Sequence, residues 1–266
     1  MASLSACGLS GIPEVRAGDD LAALIVAALD GRLPSERQVV AIAHTAVSKA
    51  EAAVVALDDV TPGERARELA AELAAGAGED RDPRVVQVVL EESSEVLRAE
   101  RGVLICRTRH GLVCANAGVD VSNAASPGTV ILLPRDPDAS ARRIRARLRE
   151  LGGRRAAGRT ETGTAAVLIS DSFGRAWRHG QCDVAIGLAG MQPLDDWRGR
   201  TDADGLELRA TWLAVADAAA AAADLARTKD SREPVVLIDG LERFVTEADG
   251  PGAAALMRPL EEDLFR

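Results

Sequence analysis

"AAVLISDSFGRAWRHGQCDVAIGLAG", residues 165–190, decides how the chain is built. Two apolar runs, AAVLIS at 165–170 and DVAIGLAG at 183–190, have the length and the Val/Ile content of buried strands. The first run ends at Asp171 and Ser172. A carboxylate and a hydroxyl at the C-terminal end of a strand can hold a divalent cation, and they can equally make a polar turn, here with Trp177 as its anchor. Arg175, Arg178, His179 and Gln181 follow close by.

Further apolar runs read as strands: VVAIAHTAV (39–47), AVVAL (53–57), GVLICRTRHGLVCANAGV (102–119), TVILL (129–133) and PVVLIDG (234–240). Helical patterns lie between them. TPGERARELAAELAAGAG predicts a helix with Thr61 as N-cap, Pro62 at the first helical position and a stop at Gly. DPRVVQVVLEESSEVLRA repeats apolar residues every three to four positions. In DPDASARRIRARLREL the residues Ala141, Ile144, Leu148 and Leu151 form one stripe, and Arg142, Arg143, Arg145, Arg147 and Arg149 surround it as a solvated face. TWLAVADAAAAAADLA is helical by propensity, and a Gly-Pro turn at 11–13 leads into a helix capped near Asp19 or Asp20. Strands and helices come in mixed order rather than strict alternation. That predicts an α+β fold, mixed sheets with packed helices. Residues 1–245 read as one domain, and 246–266 as a C-terminal tail leaving the core.

The bulk numbers exclude several classes. The 266 residues suffice for a large core, yet only 2% are aromatic and none is Tyr, so Ala, Val and Leu must build it. Few stacking platforms and a net charge of −9 argue against a nucleic-acid partner. The four cysteines (Cys7, Cys106, Cys114, Cys182) form no CxxC pair, which predicts no zinc site and a reduced, cytoplasmic setting. No signal peptide and no membrane span are expected.

A second polar strand end is HGLVCANAGVDVSN, 110–123, where an apolar entry gives way to Asn116, Asp120 and Asn123. Such side chains suit hard cations and nucleotide oxygens, or else an Asx-turn. Asp120 and Asp171 could share one metal or hold two. TAVSKAEA, 45–52, offers Lys49 to a phosphate after an apolar run, although no Walker A loop occurs in the chain.

Taken in order, GIPEV, VSKAEA, HGLVCANAGVDVSN, LPRDPDASARRIRARL, SDSFGRAWRHGQCDVAIGLAG and PVVLIDGL resemble the coenzyme F420-0:L-glutamate ligase family from about residue 10 to about 241. The resemblance implies an α+β fold, an intertwined homodimer, and ligation of L-glutamate to a deazaflavin phospholactate with GTP through an acyl phosphate. It also implies Mg²⁺ or Mn²⁺, with K⁺ as a further candidate ion. By the same resemblance Ile12, Pro13, Glu14, Val15, His44, Lys49 and Asn123 contact the nucleotide. Asp120 and Asp171 bind metal, Ser172 sits on a second metal, and Lys49, Asp120 and Asp171 carry catalysis. The general base stays open, with His179 as a candidate and Arg175 or Arg178 as possible anion contacts. A metal-dependent phosphohydrolase and a non-catalytic nucleotide-binding module remain the alternatives.

Three departures from the family pattern stand out. Ala52 replaces the Gly of SKAEG. ARTKDSREP, 226–234, puts Lys229 where relatives carry a metal-ligating side chain, so an ammonium would stand in for an ion. GPGAAALMRPLEEDLFR resembles the junction to a further, nitroreductase-like domain in two-domain relatives, so the chain reads as a standalone ligase or a piece of a longer one.

Overall fold

The structure, a computed structural model, describes residues 3–78, 80–122, 127–155, 164–228 and 230–263. Along the chain run β1 (Ser5–Gly8), α1 (Leu21–Ala28), β2 (Val39–Ala43), α2 (His44–Ala50), β3 (Val54–Ala56), α3 (Glu64–Ala77), α4 (Pro83–Glu92), β4 (Ser93–Glu100) and β5 (Val103–Thr108). They are followed by β6 (Val113–Ala115), β7 (Thr129–Ile131), α5 (Pro137–Arg155), β8 (Ala166–Arg175), β9 (Arg178–Ala189), β10 (Leu194–Asp196), β11 (Trp212–Ala214), α6 (Val215–Ala226) and β12 (Val235–Asp239). The α+β class is as the sequence predicts.

A five-stranded sheet in the order β1-β12-β2-β8-β9 forms the centre. Its β2–β8 pairing is parallel and the other pairings are antiparallel. Both faces of this sheet are covered. Val40 and Ile42 pack with α1 and α5, while Val39 and Ala41 pack with α6. That is why β2 reads as continuous apolar sequence instead of alternating. Ala216, Ala219, Ala220 and Ala223, with Val215, are the buried face of α6, so the helix contributes mostly methyl groups to its packing against the sheet. A separate apolar cluster joins α3 and α4 to the three-stranded sheet β4-β5-β6 through Leu69, Leu73, Val86, Val89, Leu104 and Cys106.

Local chemistry moves several boundaries. The apolar run 39–47 is a strand only to Ala43; from His44 it winds into α2. The helical pattern from 82 stops at Glu92, where the Ser93 hydroxyl donates to the Val89 carbonyl and the chain turns into β4. The helix of the TPGE stretch begins at Glu64, two residues later than read, and ends on left-handed Gly78. The run 102–119 splits into β5, β6 and a turn at Asn116, Ala117 and Gly118 whose φ values are +51°, +52° and +73°.

Two readings are corrected by α5. Arg145 does not belong to a solvated face: it is 1% exposed. Its guanidinium donates to the carbonyls of Thr164, Ala165, Thr246 and Glu247 and pairs with Asp249 at 2.8 Å. Gly190, at φ +77°, passes so close that a Cβ there would lie 2.2 Å from the guanidinium carbon. The segment after 245 also does not leave the core. The Asp138 carboxylate, in the first turn of α5, accepts from the backbone of Leu188, Ala253 and Ala254, and Ala253 is buried. Acidic Asp138 suits a helix N-terminus, and here it also pins the returning chain.

Replacing Arg145 by Leu should cost about 3 kcal/mol or more, because buried carbonyls and Asp249 lose their donor together. Urea unfolding followed by circular dichroism measures this; a loss below about 1 kcal/mol would place Arg145 among ordinary surface residues.

Candidate functional site

One cavity of about 920 Å³ gathers residues from widely separated segments. Its wall takes Ile12, Pro13, Glu14 and Val15 from the loop after β1, and His44 and Lys49 from α2. Cys114, Asn116 and Asp120 come from the β6 end, and Ser170, Asp171 and Ser172 from β8. Asp183 of β9 and Arg227, Arg232 and Glu233 of the α6–β12 connection complete it. This size lies within the range of small-molecule sites.

The sheet explains the meeting of these groups. The parallel pairing of β2 with β8 ends with Ala43 opposite Ser170. The next residue on each is therefore a neighbour of the other, and His44 Nε2 lies 3.2 Å from Asp171 Oδ1. His44 is buried, and its Nδ1 has no hydrogen-bond partner among the described residues. The proton then belongs on Nε2, facing the carboxylate. Asp171 is not at the end of its strand. β8 runs on to Arg175 and returns as β9, so the polar stretch is a hairpin instead of a turn after a strand. A register shift between Ile169 and Ser170 marks a bulge just before the polar residues, and such bulges re-aim side chains beside sites.

Asp120 reaches the cavity from the other side. Its backbone bridges Ile131, and its carboxylate accepts from the amide and hydroxyl of Ser122 at 2.7 and 2.8 Å. The Asx-turn reading is thus realised, and the same carboxylate still lines the cavity. Lys49 Nζ sits 2.6 Å from Glu14 Oε1, so two residues assigned to the nucleotide already pair with each other. Asn123 and Lys229 lie outside the described residues. Arg175, Arg178 and His179 are exposed on the β8–β9 hairpin and are not in the cavity wall; Arg175 donates to the His179 carbonyl.

Asp183 was missed as a site residue. It is 1% exposed and accepts from the hydroxyls of Ser170 at 2.7 Å and Ser172 at 2.6 Å, and it pairs with Arg227. In sequence it is the first letter of an apolar run, and only the cross-strand register, Ser172 opposite Asp183, reveals it. Arg81 likewise joins the wall from a loop with no motif of its own. Burial, with the Asp171 charge adding to it, pushes the Cys114 thiol up to about 12, so it stays protonated and is no nucleophile.

The donor set can be tested against a divalent ion. Among the described residues no group of three or more His, Cys, Asp and Glu stands close enough to cage a metal. Mg²⁺ does not need such a cage: it is held by one or two carboxylates together with substrate phosphates and water. Two carboxylates and a serine hydroxyl facing a cavity that also carries Lys49, Arg81 and Arg232 fit that mode.

A family model, F420-0:Gamma-glutamyl ligase, matches residues 11–240. The chain belongs to this family. It is 41% identical over 266 residues to the coenzyme F420:L-glutamate ligase of Methanothermobacter thermautotrophicus, covering 99% of both chains. It is 44% identical over 255 residues to that of Methanopyrus kandleri, covering 95% of this chain and 94% of the relative. A third relative of the same name, from Halobacterium salinarum, is 41% identical over 264 residues, covering 99% and 96%. Among the described residues no helix is long and apolar enough to cross a membrane.

The departure at position 52 has a structural reading. Ala52 keeps a left-handed backbone, φ +58°, and its amide donates to the Lys49 carbonyl. The turn that carries Lys49 is therefore preserved at the expense of strain in a non-glycine residue. Ala52→Gly should raise stability by up to about 1 kcal/mol, offset in part by the freer unfolded chain. Chemical denaturation of the two proteins side by side measures it, and a net loss would mean that Ala52 is not strained.

Proposed function

We propose that this chain joins L-glutamate to the terminal carboxylate of the deazaflavin F420-0, with GTP as phosphoryl donor. The observation that carries the reading is the single cavity shared by Ile12–Val15, His44, Lys49, Asp120, Asp171 and Ser172, in a chain of the ligase family. Amide formation from a carboxylate and an amine needs activation. A substrate carboxylate oxygen attacks the γ-phosphorus of GTP, GDP leaves, and an acyl phosphate results. The glutamate amine then attacks the acyl carbon, phosphate leaves, and the amine gives up a proton.

In this reading Lys49 offsets charge on the transferring phosphoryl group once Glu14 yields its ammonium. Asp120, Asp171 and Ser172 hold Mg²⁺ or Mn²⁺, which when bound screens the repulsion between the substrate carboxylate and the phosphates. His44 holds the Asp171 carboxylate in place. The Ile12–Val15 segment and Asn123 are assigned to the nucleotide.

The deciding assay follows GDP and phosphate release with deazaflavin and glutamate supplied separately and together. Ligation predicts product only when both are present. Phosphate release without glutamate supports a phosphohydrolase, and nucleotide binding without turnover supports a non-catalytic module. Asp120→Asn and Asp171→Asn should each lower metal-dependent ligation at least 100-fold with the fold intact, an effect of about 3 kcal/mol. Full activity of both at saturating Mn²⁺ would remove the carboxylates from the site.

We also propose that the chain is a homodimer. Leu206, Trp212 and Leu213 on the β10–β11 arm, and Trp177 on the β8–β9 hairpin, are large apolar side chains left exposed by one copy, at 68%, 51%, 46% and 84%. Light scattering over a wide dilution range should give twice the chain mass, and an active monomer would end the idea.

A further inference from the structure

The pair Asp183–Arg227, deep in the cavity wall, has no part in the chemistry above. Asp183 is 1% exposed, and both of its carboxylate oxygens are engaged. Oδ1 accepts from the Ser172 hydroxyl at 2.6 Å, and Oδ2 accepts from the Ser170 hydroxyl at 2.7 Å and from the Arg227 guanidinium. Arg227 also donates to Ser170 Oγ at 2.9 Å and to the Pro234 carbonyl at 3.4 Å. Every proton in this network therefore has a fixed direction. Arg227 has only protons to give, and Asp183, ionised beside it, has only lone pairs. Ser172 must donate to Asp183. Toward any other group, the hydroxyl of Ser172 is then an acceptor.

We propose that Asp183 is a positioning residue: it fixes the Ser172 hydroxyl as an acceptor facing the cavity, and Arg227 holds Asp183 in the orientation that does so. The cavity then presents Ser172 to a cation or a donor and not to a phosphate oxygen. This rests on the reading above, in which Ser172 takes part in holding a divalent ion. Arg227 begins the connection that supplies Arg232, Glu233 and Pro234 to the same cavity, so its ion pair ties that connection to β9 and its hydrogen bond to Ser170 ties it to β8. A hydroxyl free to rotate would face a metal with its proton part of the time, and groups that orient ligands typically govern about 10- to 100-fold in metal affinity.

The Asp183→Asn substitution is the sharpest probe. Arg227 would claim the amide oxygen, leaving the amide nitrogen to face Ser172. The Ser172 oxygen would then accept, and its proton would turn away from residue 183, toward the cavity. Mn²⁺ binding is measured by electron paramagnetic resonance with a GTP analogue whose β–γ bridge is an imido group, so that no turnover is needed. Asp183→Asn should weaken Mn²⁺ binding about 10-fold or more. The same substitution in a Ser172→Ala background should weaken it little further, because the effect passes through the missing hydroxyl. Asp183→Leu with Arg227→Met removes the buried charges together, which commonly preserves folding, and its Mn²⁺ affinity should fall between those of wild type and Ser172→Ala, more than twofold below wild type. Two outcomes overturn the proposal: Mn²⁺ affinity within twofold of wild type in the folded variants, or losses equal with and without Ser172. A wild-type protein that binds no Mn²⁺ alongside the analogue overturns the metal reading itself, and this inference with it.

Discussion

The parallel pairing of β2 with β8 is the constraint on which the site depends. Two strands that run the same way in register deliver the residues that follow their last pair to the same place. Here those residues are His44, opening a helix, and Asp171, continuing a strand. α2 then carries Lys49 along the cavity wall, and β8 carries Ser172. A register slip of one residue would turn Val40, Ile42, Val167 and Ile169 out of their cluster and into that of α6. The apolar packing on both faces of the sheet therefore sets the distance between an imidazole and a carboxylate that have no sequence proximity.

Much of this was legible in the residues. The β8–β9 stretch announces two buried strands, the Asp20 cap and the Ala-rich α6 are local signals, and the ordered motifs point to the family before any geometry is available. What could not be read depends on partners far along the chain. Arg145 looks like its neighbours in an arginine-rich helix, and only the carbonyls of 164–165 and 246–247 distinguish it. Asp183 looks like the edge of an apolar run until its strand is paired with Ser172. The boundary at Ser93 was hidden because Val and Leu at helical spacing continue past it, while the side chain that stops the helix bonds four residues back.

The cavity holds charges of both signs without neutralising them in one place. Glu14 and Lys49 pair in its wall, Asp183 and Arg227 pair deeper in the same wall, and Asp120 and Asp171 accept from amides and a hydroxyl, with the His44 imidazole beside Asp171. A carboxylate locked to an arginine has less charge to offer an incoming cation.

The alanine face of α6 carries a consequence for how this protein tolerates change. A core of leucines fails when a side chain shrinks and leaves a void. Ala216, Ala219, Ala220 and Ala223 have a single methyl each to lose, so truncation there is mild. Enlargement is the danger, because these alanines are packed against the buried side chains of the sheet with almost no exposure. Sequence drift along this helix is thus blocked in one direction. A chain poor in aromatics obtains from close packing what others obtain from bulk, and it is the tightness of that packing, more than the identity of any one residue, that inheritance has to preserve.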